Sequence, residues 1–111
     1  ISALQSKLAA ALKVKPIVTL CDGLLEISDR VRTRRRALER VLENIHEQTG
    51  KRLLNAAIVH AADPLMANDL TKDVCALLNT REVIVADLSI PVAAHLGPGA
   101  IGIVAYPIEE E

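Results

Sequence analysis

Apolar positions along the chain recur with helical spacing in three stretches and with strand character in five. Leu4, Leu8, Ala11 and Leu12 form the stripe of an amphipathic helix, which Pro16 stops because the residue before proline is pushed out of the α region. Ile17 to Leu20 and Leu24 to Ser28 flank Asp22-Gly23, a strong hairpin signal. Thr33 is the expected N-cap of a long helix lined by Leu38, Val41, Leu42 and Ile45, and Gly50 is its expected stop. Leu53 to Ala61 is nearly continuous apolar and predicts a strand covered on one or both faces. Asp63-Pro64 caps a further helix lined by Leu70, Val74, Leu77 and Leu78. Glu82 to Leu88 predicts a strand, Pro91 to Gly99 a loop or short helix, and Ala100 to Tyr106 a last strand.

This order predicts an α/β (α+β) fold. So few helices cannot cover both faces of five strands, so a two-layer sandwich is expected, a mixed β-sheet with helices mainly on one face. The opposite face is left rather apolar, open to another domain, a ligand or a second copy. With no repeat or linker, residues 1–111 read as a single domain. The start at Ile1 without Met and the acidic tail Glu109 to Glu111 suggest a domain cut from a longer polypeptide.

Composition narrows the function. Half of the 111 residues are apolar, and 13 basic side chains balance 14 acidic ones, which excludes intrinsic disorder. Tyr106 is the one aromatic residue, so base stacking on single-stranded nucleic acid is not expected. No apolar run reaches the roughly 18 residues that span a bilayer, and no signal peptide is recognisable. Cys21 and Cys75 are too few to build a disulfide scaffold. Free thiols point to a cytoplasmic setting, and a buried inert thiol is the default for both. His46, His60 and His95 are scattered, with no ligand spacing that would hold a metal. His60 is expected to be structural.

Two constellations carry candidate chemistry. Residues 30–40 hold six arginines against one acid, Glu39. One reading is a solvated helix face with Arg35–Glu39 and Arg40–Glu43 pairs. However, Arg34, Arg35 and Arg36 would occupy the first helical turn, where positive charge opposes the helix dipole by roughly 0.3–1 kcal/mol each. Guanidinium groups placed there suit a carboxylate, a phosphate or an acidic protein patch. The second constellation is His95-Leu96-Gly97-Pro98-Gly99, a histidine before a tight turn that lets backbone approach a ligand. It is neither a Walker loop nor a dinucleotide signature; a histidine that only packs the turn is the alternative.

Three segments together resemble the C-terminal domain of the DegV family of bacterial fatty-acid-binding proteins. They are Lys15 to Gly23 (family pattern Lys-Pro-Ile-Leu-x-Leu-x-Asp-Gly), Val31 to Leu38 (Lys-Val-Arg-Thr-x-Lys-Lys-Ala-Leu) and His95 to Gly102 (His-Thr-Gly-Pro-Gly-x-x-Gly). The stretch Ile58 to Ala61 followed by Pro64 also fits. The resemblance runs in order through essentially the whole chain. It implies a two-domain protein that holds a long-chain fatty acid such as palmitate in a buried tunnel, with the carboxylate near the interdomain cleft. It also implies a carrier that presents the acid to a separate fatty-acid kinase and has no complete active site or cofactor of its own.

Carried over residue by residue, the resemblance assigns His95 and Arg32 to the carboxylate and gives Gly97, Pro98 and Gly99 the shaping of the loop. Arg34, Arg35 and Arg36 fall where members vary, which suits partner docking better than ligand contact. Leu96 departs from the small polar residue usual after the histidine and removes a hydroxyl donor; Cys21 replaces a polar residue. The family's serine and threonine carboxylate contacts belong to the first domain, and an arginine usual before Ile1-Ser2 is missing. Half a binding site is therefore expected, with weak fatty-acid binding and self-association of the isolated piece. Two other readings stand beside this one: an anion or acidic-protein docking module on the arginine helix, and a dihydroxyacetone-kinase-like substrate domain with a covalently reactive His95.

Overall fold

The computed structural model describes residues 14–108, so the helix expected at Leu4 to Leu12 lies outside the described residues. In chain order the elements are β1 (Lys15–Cys21), β2 (Leu24–Val31), α1 (Arg34–Thr49), β3 (Leu54–His60), α2 (Pro64–Leu77), β4 (Thr80–Asp87), α3 (Ile90–Leu96) and β5 (Ile101–Pro107). The mixed α/β class expected from the pattern is the one found, and all five expected strands are present. They are divided between a two-stranded sheet, β1-β2, and a three-stranded sheet of order β4-β3-β5. The chain forms two compact units, divided at Val41 within α1.

In the first unit, β1 and β2 form an antiparallel hairpin closed by Asp22-Gly23. Both turn residues have positive φ, 51° and 79°, as a type I′ turn requires. The register slips between Ile17 and Val18, where Ser28 is the extra residue, and its hydroxyl donates to the Ile17 carbonyl at 3.3 Å. Thr33 caps α1 as expected: its Oγ1 accepts from Arg36 N–H at 3.2 Å and its carbonyl from Ala37 N–H at 3.0 Å. Arg40 ties this helix to the hairpin, donating to Asp29 at 2.7 Å.

In the second unit β3 is central, parallel to β4 and antiparallel to β5. Its burial alternates strictly: Leu54, Ala56, Ile58 and His60 are buried, while Asn55, Ala57 and Val59 are only half-buried. α2 packs on β3 and β4. Ala67, Leu70 and Val74 on this helix are buried, as is Leu78 just beyond it, and they supply the core against the buried face. Asp63 caps α2, accepting from Met66 N–H at 3.3 Å, with Pro64 in the first turn. Gly50 ends α1 with φ 57° and donates its N–H to the His46 carbonyl at 2.8 Å.

Two expectations need correction. Leu77 is 43% exposed, and Cys75 is exposed rather than buried. The buried stripe of α2 runs through residues 67, 70 and 74; Cys75, turned by about 100° from Val74, falls off it, whereas Leu77 points nearly the same way as Leu70 but sits at the stripe's edge as the last residue of the helix.

Candidate functional site

The site is built at the carboxyl ends of the parallel strands β3 and β4, where the chain leaves the sheet at His60 and Asp87. In α/β sheets ligands characteristically bind in the crevice outside those ends. The Leu88–Ala100 excursion begins and ends there. Leu88 N–H donates to the His60 carbonyl at 2.8 Å, and Ala61 N–H donates to the Ala100 carbonyl at 2.9 Å. Within the excursion the expected loop or short helix is a seven-residue helix, α3, with Pro91 in its first turn and half-buried His95 in its last.

The Gly-Pro-Gly sequence behaves as its residue types require. Gly97 caps α3 with φ 89°, donating to the Ala93 carbonyl at 2.8 Å. Pro98 and Gly99 then fill the two central positions of a turn closed by Ala100 N–H to the Gly97 carbonyl at 3.3 Å. Proline second and a φ of 84° third is the residue pattern of a type II turn. Gly99 N–H also donates to the Ala61 carbonyl at 2.9 Å, which pins the turn to the end of the central strand. His95 is therefore carried on a short, anchored segment rather than a free loop, and its imidazole has the chemistry to hydrogen-bond a carboxylate oxygen.

His60 is structural, as expected. It is 6% exposed; its Nδ1 accepts from Asp63 N–H at 3.1 Å, and its Nε2 lies 3.4 Å from Asp87 Oδ1. Ala62, between these partners, has φ 58°, a left-handed conformation that costs a side-chain-bearing residue energy. No sequence signal marked Ala62.

The predicted arginines belong to the hairpin unit. Arg32, with Thr33, makes the connection from β2 to α1 and is exposed. Arg34, Arg35 and Arg36 form the first turn of α1, which contains no acidic residue. Arg35 and Arg36 share Glu39, at 3.6 and 3.3 Å, all three well exposed, so these pairs contribute only a few tenths of a kcal/mol each. Arg32, Arg35 and Arg36 thus present an exposed cationic surface, while Arg34 is half-buried.

A further feature was legible only as an apolar sheet face. On the side of the three-stranded sheet away from the buried core, Ala57 pairs with Ile84 and Val104, and Asn55 pairs with Glu82 and Tyr106. Together they line a shallow trough of about 120 Å³. Ile84, Val104 and Tyr106 are each more than half exposed. Asn55 donates its amide to Tyr106 Oη at 3.2 Å at the polar end. Ligand sites that enclose a small molecule are typically ~300–1,000 Å³, so this surface alone encloses none. Among the described residues there is no group of three or more His, Cys, Asp or Glu able to hold a metal ion, and no helix long and apolar enough to cross a membrane.

Fold and site define a mixed α/β protein whose candidate ligand loop stands at the carboxyl ends of parallel strands. Comparison with known proteins makes the assignment specific. A family model described as "Uncharacterised protein, DegV family" matches residues 1–108, and the chain belongs to the DegV family. It is 34% identical over 104 residues to a DegV domain-containing protein of Mycobacterium tuberculosis, covering 93% of this chain and 37% of that one. Protein DegV of Bacillus subtilis is 30% identical over 104 residues, with the same coverage of 93% and 37%. The chain thus spans little more than a third of the length of these curated relatives. Among solved structures, a Thermus thermophilus DegV-family protein described by its fatty acid binding superposes with TM-score 0.81 at 30% identity, over 94% of this chain and 38% of that one. A Thermotoga maritima protein described as revealing fatty acid binding function superposes with TM-score 0.80 at 22% identity, over 86% and 35%, a likeness of fold.

Proposed function

We propose that this chain is a fatty-acid-binding domain, with no catalytic centre of its own, that contributes part of a site completed by another portion of a longer bacterial cytoplasmic protein. The observation that carries the reading is the placement of His95 on the anchored Gly-Pro-Gly segment at the carboxyl ends of β3 and β4. The 30%-identical Thermus neighbour described by fatty acid binding supports the same ligand class. In this reading His95 and Arg32 hold the carboxylate by charge-assisted hydrogen bonds. Gly97, Pro98 and Gly99 set the loop, and the acyl chain lies in an apolar tunnel shared with a second domain. The shallow trough on this chain agrees with a site that needs a second wall.

The kinase relationship belongs to the same proposal. A carrier must display its ligand's carboxylate to the enzyme that phosphorylates it, and Arg34, Arg35 and Arg36 offer that enzyme a cationic docking surface. The isolated chain should bind fatty acid weakly and self-associate through its uncovered apolar surface.

Native mass spectrometry of the full-length polypeptide, purified without added lipid, tests the reading. A co-purified long-chain fatty acid is expected, reduced or lost in His95→Ala. A protein that carries no lipid and takes up none on titration with palmitate would overturn it, and would favour an anion-docking role for the arginine helix.

A further inference from the structure

We propose that His60 is a positioning residue for the ligand loop: its buried imidazole holds the turn whose backbone anchors the segment carrying His95. The inference rests on the reading of His95 as a ligand group, and it concerns a residue that touches no ligand itself.

The chain of contacts is continuous. His60 ends the central strand, paired with Asp87 on one side and Ile101 on the other. Its Nδ1 accepts from Asp63 N–H at 3.1 Å, closing the turn through Ala61 and Ala62. A ring nitrogen that accepts a hydrogen bond carries no hydrogen, so the ring's hydrogen sits on Nε2, 3.4 Å from Asp87 Oδ1. That turn contains Ala62 at φ 58°, a conformation that must be imposed by its surroundings. The peptide groups of Ala61 face the ligand loop and make both of its pins: the carbonyl accepts from Gly99 N–H and the N–H donates to the Ala100 carbonyl, each at 2.9 Å. The His60 carbonyl holds the other end of the excursion through Leu88 N–H at 2.8 Å. The ring therefore sets the orientation of Ala61, and Ala61 sets the loop.

Stability alone does not account for this residue. The other buried members of its strand are Leu54, Ala56 and Ile58, and an aliphatic side chain would fill the same face without burying a polar ring. What an aliphatic residue lacks is the acceptor for Asp63 N–H.

The test compares His60→Leu, which removes that acceptor, with His60→Asn, whose amide oxygen can replace Nδ1. Both are made in the full-length polypeptide. Hydrogen–deuterium exchange of peptides covering 61–63 and 97–100 is expected to speed up about tenfold in His60→Leu, the scale of one lost buried hydrogen bond. Peptides from the core of α2 should exchange as in wild type, and His60→Asn should restore the loop. The dissociation constant for palmitate should rise about tenfold in His60→Leu, and that rise should vanish when the two proteins are compared on a His95→Ala background. Unchanged loop exchange in His60→Leu, equal acceleration of loop and α2, or an undiminished affinity loss without His95 would each overturn the inference. Should His60→Leu fail to fold, a folded His60→Asn with a wild-type loop supports the inference, and one with a freed loop overturns it. Should the wild-type protein bind no fatty acid, the functional reading falls while the exchange measurement still decides the positioning role.

Discussion

Gly102 on β5 lies directly opposite Val59 on β3, and a methyl group built on Gly102 would come within 3.2 Å of Val59 Cγ2. This is tighter than ordinary van der Waals contact, so the absence of a side chain at 102 is what lets Val59 lie close against the neighbouring strand. Gly102 is also the final glycine of the His95 to Gly102 segment that matches the family pattern His-Thr-Gly-Pro-Gly-x-x-Gly. The spacing that singled it out in the sequence thus has a packing reason three residues beyond the turn itself.

Gly102→Ala is expected to change stability by less than about 1 kcal/mol. The crowding of Val59 is offset by the entropy that glycine loses in a strand. Gly102→Leu should cost about 1–3 kcal/mol, because a larger group cannot be absorbed by a small shift of Val59. Urea denaturation of the two variants checks both magnitudes.

Ala62 should behave oppositely to most alanines. An ordinary Ala→Gly exchange within regular structure loses about 0.5–1 kcal/mol. At φ 58° the left-handed penalty on alanine, roughly 1–2 kcal/mol, is relieved by glycine. Ala62→Gly is therefore expected to leave stability unchanged or raise it by about 1 kcal/mol. A fall in the urea midpoint would show that the strain at this position is not borne by Ala62.

Replacing Arg34, Arg35 and Arg36 together by glutamine should separate stability from recognition. Loss of the exposed pairs to Glu39 and relief of unfavourable helix-dipole interactions act in opposite directions, each by a few tenths of a kcal/mol to about 1 kcal/mol. The melting temperature should hardly move. Retention of the protein on an immobilised fatty-acid kinase should fall sharply, and for the wild type it should weaken steeply with salt. Salt-insensitive retention, or retention unchanged in the triple variant, would remove these arginines from the interface.

The elements were largely legible because their signals are local. Asp22-Gly23 closes a hairpin, since these residue types tolerate positive φ. Thr33 and Asp63 cap helices, since their side-chain oxygens reach the free N–H groups of the first turn. Leu70 and Val74 are buried in α2, but Leu77 and Cys75 are not, because helical spacing identifies an apolar stripe more surely than its edges. The division of five strands between two sheets was not legible. Nor was the parallel pairing of β3 with β4 beside the antiparallel pairing with β5.

The site shows the same boundary. Its residue types were readable: a histidine followed by glycines and proline, and arginines where a helix prefers acids. Its anchoring was not. His60 read as a structural histidine, which it is, and its bond to Asp63 spans only three residues, but the pins from Ala61 to Gly99 and Ala100 join segments separated by nearly forty residues. The sequence by itself determined the turns, the caps, the helical stripes and the chemical character of the candidate groups, because each depends on a few neighbouring residues. Only the tertiary structure decided which strand ends meet, which apolar face stays open and which carbonyl holds the Gly-Pro-Gly loop, because those depend on hydrogen bonds and packing between parts of the chain that no local pattern brings together.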